Sequence, residues 1–307
     1  MRFFVLMLFG LLTACQSVFI KPFEVTTVAG QVELSLPEWQ SPRERDNPRV
    51  GQIEDLRTGE SLTTSQLLDE LADAAVALLG EKHDNPDHHT LQLWVLQALE
   101  ARRRQGAVAM EMLTLNQQTA VSQVQEQMRA GEQPKNLALA LNWDKGWDWQ
   151  QYASLLEHLV AQPYSLLASN LDRTALMAIY RNPPEMQGAK STDKDVLERL
   201  SEHIREAHCN KLPPAQLPAM LAVQQQRDRS MATVLVEADK PVLLLAGAYH
   251  ARYDLGVPLH IQDLQNAAEL TQRVLIFAEA GQEVAANSAD FVWYTPAVVE
   301  QDYCANL

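Results

Sequence analysis

The 307-residue chain carries a formal net charge of −14 at pH 7, with 25 basic and 39 acidic residues. This charge argues against nucleic acid as a partner, because binding to phosphates needs clustered lysine and arginine, and the sequence has no basic run. The length suits one large domain, or one domain with a smaller helical insertion.

The first residues have the pattern of a bacterial lipoprotein signal. An apolar run from Phe3 to Leu12 is too short to span a bilayer as a helix, but it suits the apolar region of a secretory signal. It leads into Thr13-Ala14-Cys15, which resembles a lipobox. An ordinary signal peptide with a chance cysteine is the alternative. We expect residues 1–14 to be removed and Cys15 to be acylated, for example with palmitate. Because Gln16 and not aspartate follows, we expect anchoring in the outer membrane, facing the periplasm.

Strands and helices alternate along the rest of the chain. Residues 15–48 contain four prolines and one alternating stretch, 31–34, which indicates a tether and an edge strand. Short apolar runs predict strands at 74–80, 107–112, 165–170, 242–247, 274–278 and 291–294. Helical periodicity covers 86–105, 115–130, 149–162, 193–208 and 214–238. This order predicts an α/β domain over residues 49–307 with a mostly parallel central sheet flanked by helices. A helical insertion is expected at about 182–218.

Beyond Cys15, two cysteines remain, Cys209 and Cys304. In an oxidising compartment they could pair and tie the C-terminal tail to the domain. Two free or buried thiols are the alternative.

Polar side chains follow four of the predicted strands. The carboxyl ends of parallel strands share one edge of a sheet, so these groups are expected to meet in a crevice. Carboxylates, imidazoles and phenols brought together there suit metal ligation, acid–base chemistry or capture of a polar ligand. In chain order they are Glu81, His83, Glu111, Asn170, Asp172, Arg173, Tyr249, His250, Arg252 and Tyr253.

The segment Gly80–His89 holds three of the eight histidines. His83 lies in the turn itself, whereas His88 and His89 fall in the first turn of a helix that starts near Pro86. The spacing does not match the helical zinc motif, so a metal would need ligands from elsewhere in the chain. The remaining helical histidines at 158, 203 and 208 are expected at the surface.

Two further features allow two interpretations each. Trp143, Trp147 and Trp149 precede a helix and either pack its start or form an apolar lid over a flat ligand. Arg227 either meets an anion in the crevice or belongs to a structural ion pair.

Taken together, three motifs resemble the ChaN-like haem-binding lipoproteins. They are Gly80–His89, then Gln226-Arg227-Asp228 with Met231-Ala232, and finally Gly247–Arg252 with Gly256-Val257-Pro258. That family belongs to a superfamily with the erythromycin esterases and the Tiki and TraB proteins. The resemblance implies an α/β fold, haem binding in iron uptake, and dimerisation around two haems stacked face to face. A haem-uptake receptor is a possible further partner.

In that family a tyrosine ligates the iron, and a histidine and a lysine from the partner subunit hold the propionates. Either Tyr249 or Tyr253 fits the ligand, and Tyr253 is preferred because Tyr249 was expected to point into the sheet. Lys82 and His83 match the propionate partners in chemistry. The other candidate haem contacts are His250, Arg252 and His89.

The rival interpretation is a metal-dependent or esterase-like hydrolase. The esterase branch of the superfamily uses a histidine of the first motif as general base, with a glutamate and a second histidine. Here these would be His83, Glu111 and His250, supported by Glu81. A third interpretation is a non-catalytic protein whose crevice binds another anion.

Overall fold

The computed structural model describes residues 25–28, 31–264, 270–302 and 304–305. The predicted signal segment and Cys15 lie outside the described residues. Within that part of the chain, no helix is both long enough and apolar enough to cross a membrane.

An eight-stranded sheet forms the centre of the domain. Its strands are β3 (Ile53–Asp55), β4 (Glu60–Leu62), β5 (Val76–Glu81), β6 (Ala107–Thr114), β7 (Ser165–Asn170), β8 (Val242–Gly247), β9 (Gln272–Glu279) and β10 (Phe291–Thr295). They lie in the order β4-β3-β10-β9-β5-β8-β6-β7, and all neighbours from β10 to β7 are parallel. Antiparallel pairing occurs only at one edge, where β3 pairs antiparallel with both β10 and β4. The predicted fold class is confirmed.

Helices cover both faces of this sheet. They are α1 (Thr64–Ala72), α2 (Pro86–Glu100), α3 (Gln118–Arg129), α4 (Leu137–Ala140), α5 (Trp149–Val160), α6 (Arg173–Arg181), α7 (Lys194–Ala207), α8 (Leu217–Glu237), α9 (Ala248–Ala251) and α10 (Val257–Leu264). Short 3-10 turns at Leu115–Gln117 and Pro214–Gln216 precede α3 and α8.

The central strands are mostly apolar because both of their faces are buried, and their few polar residues, such as Glu81 and Glu111, lie towards the carboxyl ends. In β5, Ala77 and Leu79 enter the core beneath α2 and α5, whereas Val76 and Leu78 enter the opposite core beneath α8 and α10. Because successive side chains of a strand point to opposite faces of the sheet, one strand contributes residues to both cores. This arrangement fixes the carboxyl ends of β5 and β8 side by side, with Glu81 opposite Gly247.

The remaining segments follow the sequence pattern closely. The alternating stretch Gln31–Leu34 is a strand, β2, but it pairs with β1 (Val25–Val28) in a separate two-stranded sheet. Helix α7 fills the predicted insertion and packs on α8 through its own small apolar core. Cys209, just past α7, forms a disulfide with Cys304, which is one of the two alternatives that the sequence left open.

Candidate functional site

A crevice of about 690 Å³ opens at the carboxyl ends of β5, β8 and β9. One part of its wall is apolar and includes Ile276, Phe277, Ala278 and Val284. The other part carries polar groups from the predicted strand ends and from α7, namely Glu81, Lys82, His83, His203, Tyr249, His250 and Arg252. Of the ten strand-end residues named from the sequence, five line the crevice, namely Glu81, His83, Tyr249, His250 and Arg252. Glu111, Asn170, Asp172, Arg173 and Tyr253 are not part of its wall.

His83 is held at the crevice by a buried carboxylate. Its Nδ1 lies 2.8 Å from Oε1 of Glu81, and the Tyr152 hydroxyl donates to the same oxygen at 2.7 Å. Trp147 contacts the imidazole edge to face, with ring centroids 4.8 Å apart. The His83 side chain keeps 38% of its surface exposed, so the imidazole is oriented from behind and remains accessible from the crevice.

Gly247 allows His83 this position. A Cβ placed on Gly247 would lie 2.7 Å from Nε2 of His83. The glycine that ends β8 is thus required by the close approach of an imidazole, and its backbone N–H also donates to Oε2 of Glu111 at 2.8 Å.

The other two histidines of the first motif are buried. His88 accepts from the Lys82 backbone N–H at its Nδ1 and contacts the Thr295 hydroxyl through Nε2, both at 2.9 Å. His89 lies against Tyr152, with Nδ1 2.7 Å from Oε2 of Glu81, and is only 4% exposed. His89 therefore does not line the crevice, and its predicted role as a haem contact is corrected to support of Glu81.

Glu111 is the centre of a second buried cluster. Its Oε1 accepts from Arg227 at 2.6 Å and lies 3.3 Å from Nε2 of His250. The Nδ1 of His250 is in turn hydrogen-bonded to Oδ1 of Asp228, and Nε of Arg227 donates to Asn170 at 3.2 Å. Arg227 thus belongs to a structural ion pair, one of the two roles considered for it.

These contacts shift the pKa values of both clusters. Burial opposes ionisation of Glu81, but the adjacent His89 and His83 outweigh it and lower the pKa of Glu81 to about 2. Burial likewise opposes ionisation of Glu111, yet His250, His83 and Arg227 hold its pKa well below the usual value.

The histidines respond in the opposite direction. Burial favours neutral His250, but Glu111 and Asp228 on its two sides raise its pKa to about 9. The pKa of His83 is also raised, because Glu81 and Glu111 outweigh its burial. His250 is therefore an imidazolium at neutral pH, which suits a fixed positive charge and not a general base.

Tyr249 projects from α9 into the crevice. Its side chain is 45% exposed, and its ring stacks on His203 of α7, with centroids 3.4 Å apart and planes inclined by 18°. The guanidinium of Arg252 lies 5.5 Å from the Tyr249 ring centroid. His203, expected at the surface, is instead part of the crevice wall.

Tyr253 lies elsewhere. Its hydroxyl donates to Oδ2 of Asp290 at 2.7 Å and to the backbone carbonyl of Gln272 at 2.9 Å. Gln272 begins β9, so this hydroxyl lies at the amino ends of the strands, away from the crevice. Burial, followed by the charge of Asp290, raises the pKa of the Tyr253 phenol, which disfavours a phenolate. The preference for Tyr253 over Tyr249 is therefore corrected.

Two cations stand at the crevice mouth. Nζ of Lys82 lies 3.1 Å from Glu279 and 3.4 Å from Asp84, and the Lys82 side chain is 35% exposed. Arg252 forms a two-point pair with Asp254, at 2.8 Å for each contact. Each cation is thus paired with carboxylates and keeps part of its side chain exposed, 35% for Lys82 and 23% for Arg252.

The tryptophans pack against residues of the site. Trp143 packs edge to face on Trp149 and lies against Tyr152, and Trp147 contacts His83. These aromatic rings border the main core, so the packing role predicted for them is favoured over a lid.

Sequence patterns missed several functional groups. Asp228, Tyr152 and Gln224 reach the clusters from helices distant in sequence, and His203 comes from the insertion. Only Asp228 had a signal, its place beside Arg227 in the second motif. Among the described residues, no group of three or more His, Cys, Asp or Glu side chains is arranged to hold a metal ion.

Comparison with solved structures places the site in a known fold. ChaN of Campylobacter jejuni, which binds haem cofacially, is 31% identical with a TM-score of 0.71, and the match covers 78% of this chain and 95% of that one. The erythromycin esterase EreC in its open conformation is 14% identical, with a TM-score of 0.44 and coverage of 87% and 85%. A Bacillus cereus protein is 11% identical, with a TM-score of 0.40 and coverage of 70% and 68%.

No curated protein sequence matches the chain. Residues 67–261, by contrast, match the family model described as haem-binding uptake, Tiki superfamily, ChaN. That match spans more than half of the chain and includes all three motifs quoted above. The chain therefore belongs to the haem-binding uptake family of ChaN in the Tiki superfamily.

Proposed function

We propose that this chain binds haem in the crevice at the carboxyl ends of β5, β8 and β9, with the Tyr249 hydroxyl as the iron ligand. The observation that carries the proposal is the exposure of the Tyr249 phenol in this crevice. Tyr249 is 45% exposed and lies beside the cation Arg252, and the chain belongs to a haem-binding family. Ferric haem accepts a phenolate as its axial ligand.

The residues around Tyr249 fit the rest of the haem group. Ile276, Phe277 and Ala278 supply an apolar wall for the macrocycle, and the crevice volume lies within the range of small-molecule sites. Arg252 supplies positive charge beside Tyr249. Lys82 and His83 match the lysine and histidine that, in the family, hold the propionates from the partner subunit, so in a dimer they would contact the haem bound by the other copy.

A dimer follows from the openness of this site. Haem ligated by Tyr249 would keep one face uncovered, and a second copy bringing its own haem would cover that apolar face. The cofacial arrangement in the Campylobacter relative supports this proposal. We also propose that the protein is an outer-membrane lipoprotein, acylated at Cys15, that receives or passes haem during iron acquisition.

Haemin titration tests the ligand and the assembly together. Wild-type protein should show a saturable Soret change and, in sedimentation, a shift to twice the mass. Tyr249→Phe should lose the ferric phenolate spectrum, whereas Tyr253→Phe is the matched control and should retain it. A wild type with no saturable Soret change would overturn haem binding. A Tyr249→Phe spectrum equal to wild type would overturn the ligand assignment.

The anchor needs a separate experiment. Cells expressing the intact chain should place it in the outer-membrane fraction, and Cys15→Ser should release it from that fraction or leave an unprocessed precursor. Incorporation of labelled palmitate that does not depend on Cys15 would contradict the acylation site.

Acid–base catalysis is the second candidate function, and His83 is the observation in its favour. Its Nδ1 is held by Glu81 while the imidazole stays accessible, which is the arrangement of an oriented general base. His250 does not fit the second histidine of that scheme as a base, since its flanking carboxylates keep it protonated. The test is to measure hydrolysis of a panel of ester substrates by wild type and by His83→Ala. Hydrolysis that is unchanged by this substitution would contradict catalysis by His83.

A further inference from the structure

We propose that His203 is a positioning residue for the haem ligand: its imidazole holds the Tyr249 phenol by face-to-face stacking, in the orientation that presents the hydroxyl to the crevice. This inference rests on the proposed function, because the positioned group is the proposed iron ligand. It assigns a role to the insertion helix α7, which supplies none of the family motifs quoted above.

The geometry of the pair is that of two stacked rings. Their centroids are 3.4 Å apart and the planes are nearly parallel, at 18°. The Tyr249 side chain is otherwise 45% exposed, and an exposed phenol on a four-residue helix samples several rotamers. The stacked imidazole removes that freedom without occupying the hydroxyl, which stays available to a ligand.

The support beneath His203 is rigid. Its neighbours on the same helix, Leu200 and Ile204, are buried against α8. The helix ends one turn later, and Cys209 just beyond it is crosslinked to Cys304. The imidazole is therefore carried by a packed and tethered element, which a positioning group requires.

The stacked pair has a cation beside it. The guanidinium carbon of Arg252 lies 5.5 Å from the centroid of the Tyr249 ring. This positive charge lies next to the phenol that we propose as the iron ligand.

Two substitutions distinguish the effect of ring stacking from an effect of the imidazole nitrogens of His203. His203→Ala removes the ring, and His203→Phe keeps an aromatic plane without any nitrogen. An aromatic pair of this kind contributes enough that we expect haem affinity to fall roughly 3- to 10-fold in the alanine variant. The phenylalanine variant should stay within about 2-fold of wild type. His208→Ala, just past the end of the same helix, is the control and should bind haem as wild type does.

The titrations use the full chain in mild detergent, with haem-loaded micelles as the blank and the ferric charge-transfer spectrum as the readout. Weakened phenolate ligation in His203→Ala with recovery in His203→Phe supports the inference. Loss in both variants overturns stacking as the cause, and loss in neither overturns the role of His203. Absence of haem binding in wild type itself would instead be a failure of the proposed function.

The haem-free protein gives an independent readout. In a proton NMR spectrum, the stacked Tyr249 ring should shift the His203 ring protons upfield. The shift should disappear in Tyr249→Leu and persist in Tyr249→Phe, which retains the ring. His203 resonances that are the same in wild type and in Tyr249→Leu would show that the two rings do not stack in solution.

Discussion

Replacing Asp228 by asparagine tests the buried charge cluster behind the crevice. Asp228 and His250 are 0% and 6% exposed, and the two are hydrogen-bonded through Nδ1 of the imidazole. Glu111 makes the largest contribution to the raised pKa of His250, and Asp228 the next. The substitution keeps the shape of the side chain and removes one of the two negative charges that flank the His250 imidazolium.

The size of the effect follows from the pKa of His250. A folded-state value of about 9, against 6.5 in the unfolded chain, corresponds to about 3 kcal/mol of stabilisation. Because this pKa is raised on folding, the stabilisation is complete below pH 6.5 and is lost as the pH rises through 9. Asp228 supplies part of it, so the variant should lose about 1–2 kcal/mol of unfolding free energy at pH 6.

Urea denaturation between pH 5.5 and 9.5 measures this difference, and it should shrink towards zero by the upper end of that range. Asp172→Asn is the matched control. Asp172 caps α6, and asparagine caps a helix as well as aspartate does, so this variant should match wild type throughout. An Asp228→Asn variant that is equally destabilised at pH 6 and pH 9.5 would refute the assignment to charge pairing. So would a variant as stable as wild type at pH 6.

Three further substitutions probe the site and its frame. Gly247→Ala should displace the His83 imidazole with little loss of stability, because the new Cβ meets the end of a side chain that can move. Histidine NMR checks the displacement, and a melting curve checks the stability. A His83 signal unchanged in that variant would contradict the close approach. Cys304→Ser, which leaves Cys209 unpaired, should lower the free energy of unfolding measured in denaturant by about 2–4 kcal/mol, because the crosslink closes a long loop. Wild type in reductant should melt like this variant, and a difference between them would point to an effect of the serine. Tyr253→Phe should lose about 1 kcal/mol through its missing hydrogen bonds, and an equally stable variant would argue against the buried hydroxyl contacts.

The strand-end residues show how far the sequence locates the site. Glu81, His83, Glu111 and His250 each follow or end an apolar run, and a parallel sheet necessarily gathers such ends at one edge. Their convergence could therefore be predicted before any side chain was placed. For Cys209 and Cys304 the sequence named the two partners but left paired and free thiols as alternatives, and the tertiary structure brings them together as a disulfide.

The choice between Tyr249 and Tyr253 shows where this reasoning stops. The two phenols are four residues apart, and both flank His250, so neither the strand nor the motif distinguishes them. The chain turns after α9, which carries the Tyr253 hydroxyl back to Asp290 at the opposite end of the strands. His89 failed as a crevice group for a related reason: a helix turn rotates it towards Tyr152.

The sequence by itself determined the α/β class, the mostly parallel direction of the strands and the edge of the sheet where polar groups collect, because local periodicity and the alternation of strands with helices indicate all three. Only the tertiary structure decided which of those groups reach the crevice. Asp228, Tyr152 and His203 arrive from helices far away in the chain, and their contacts depend on how those helices pack. Packing also set the charges and the exposure, because Glu111 and Asp228 outweigh burial and raise the pKa of His250, and because Tyr249 is the exposed one of the two candidate phenols.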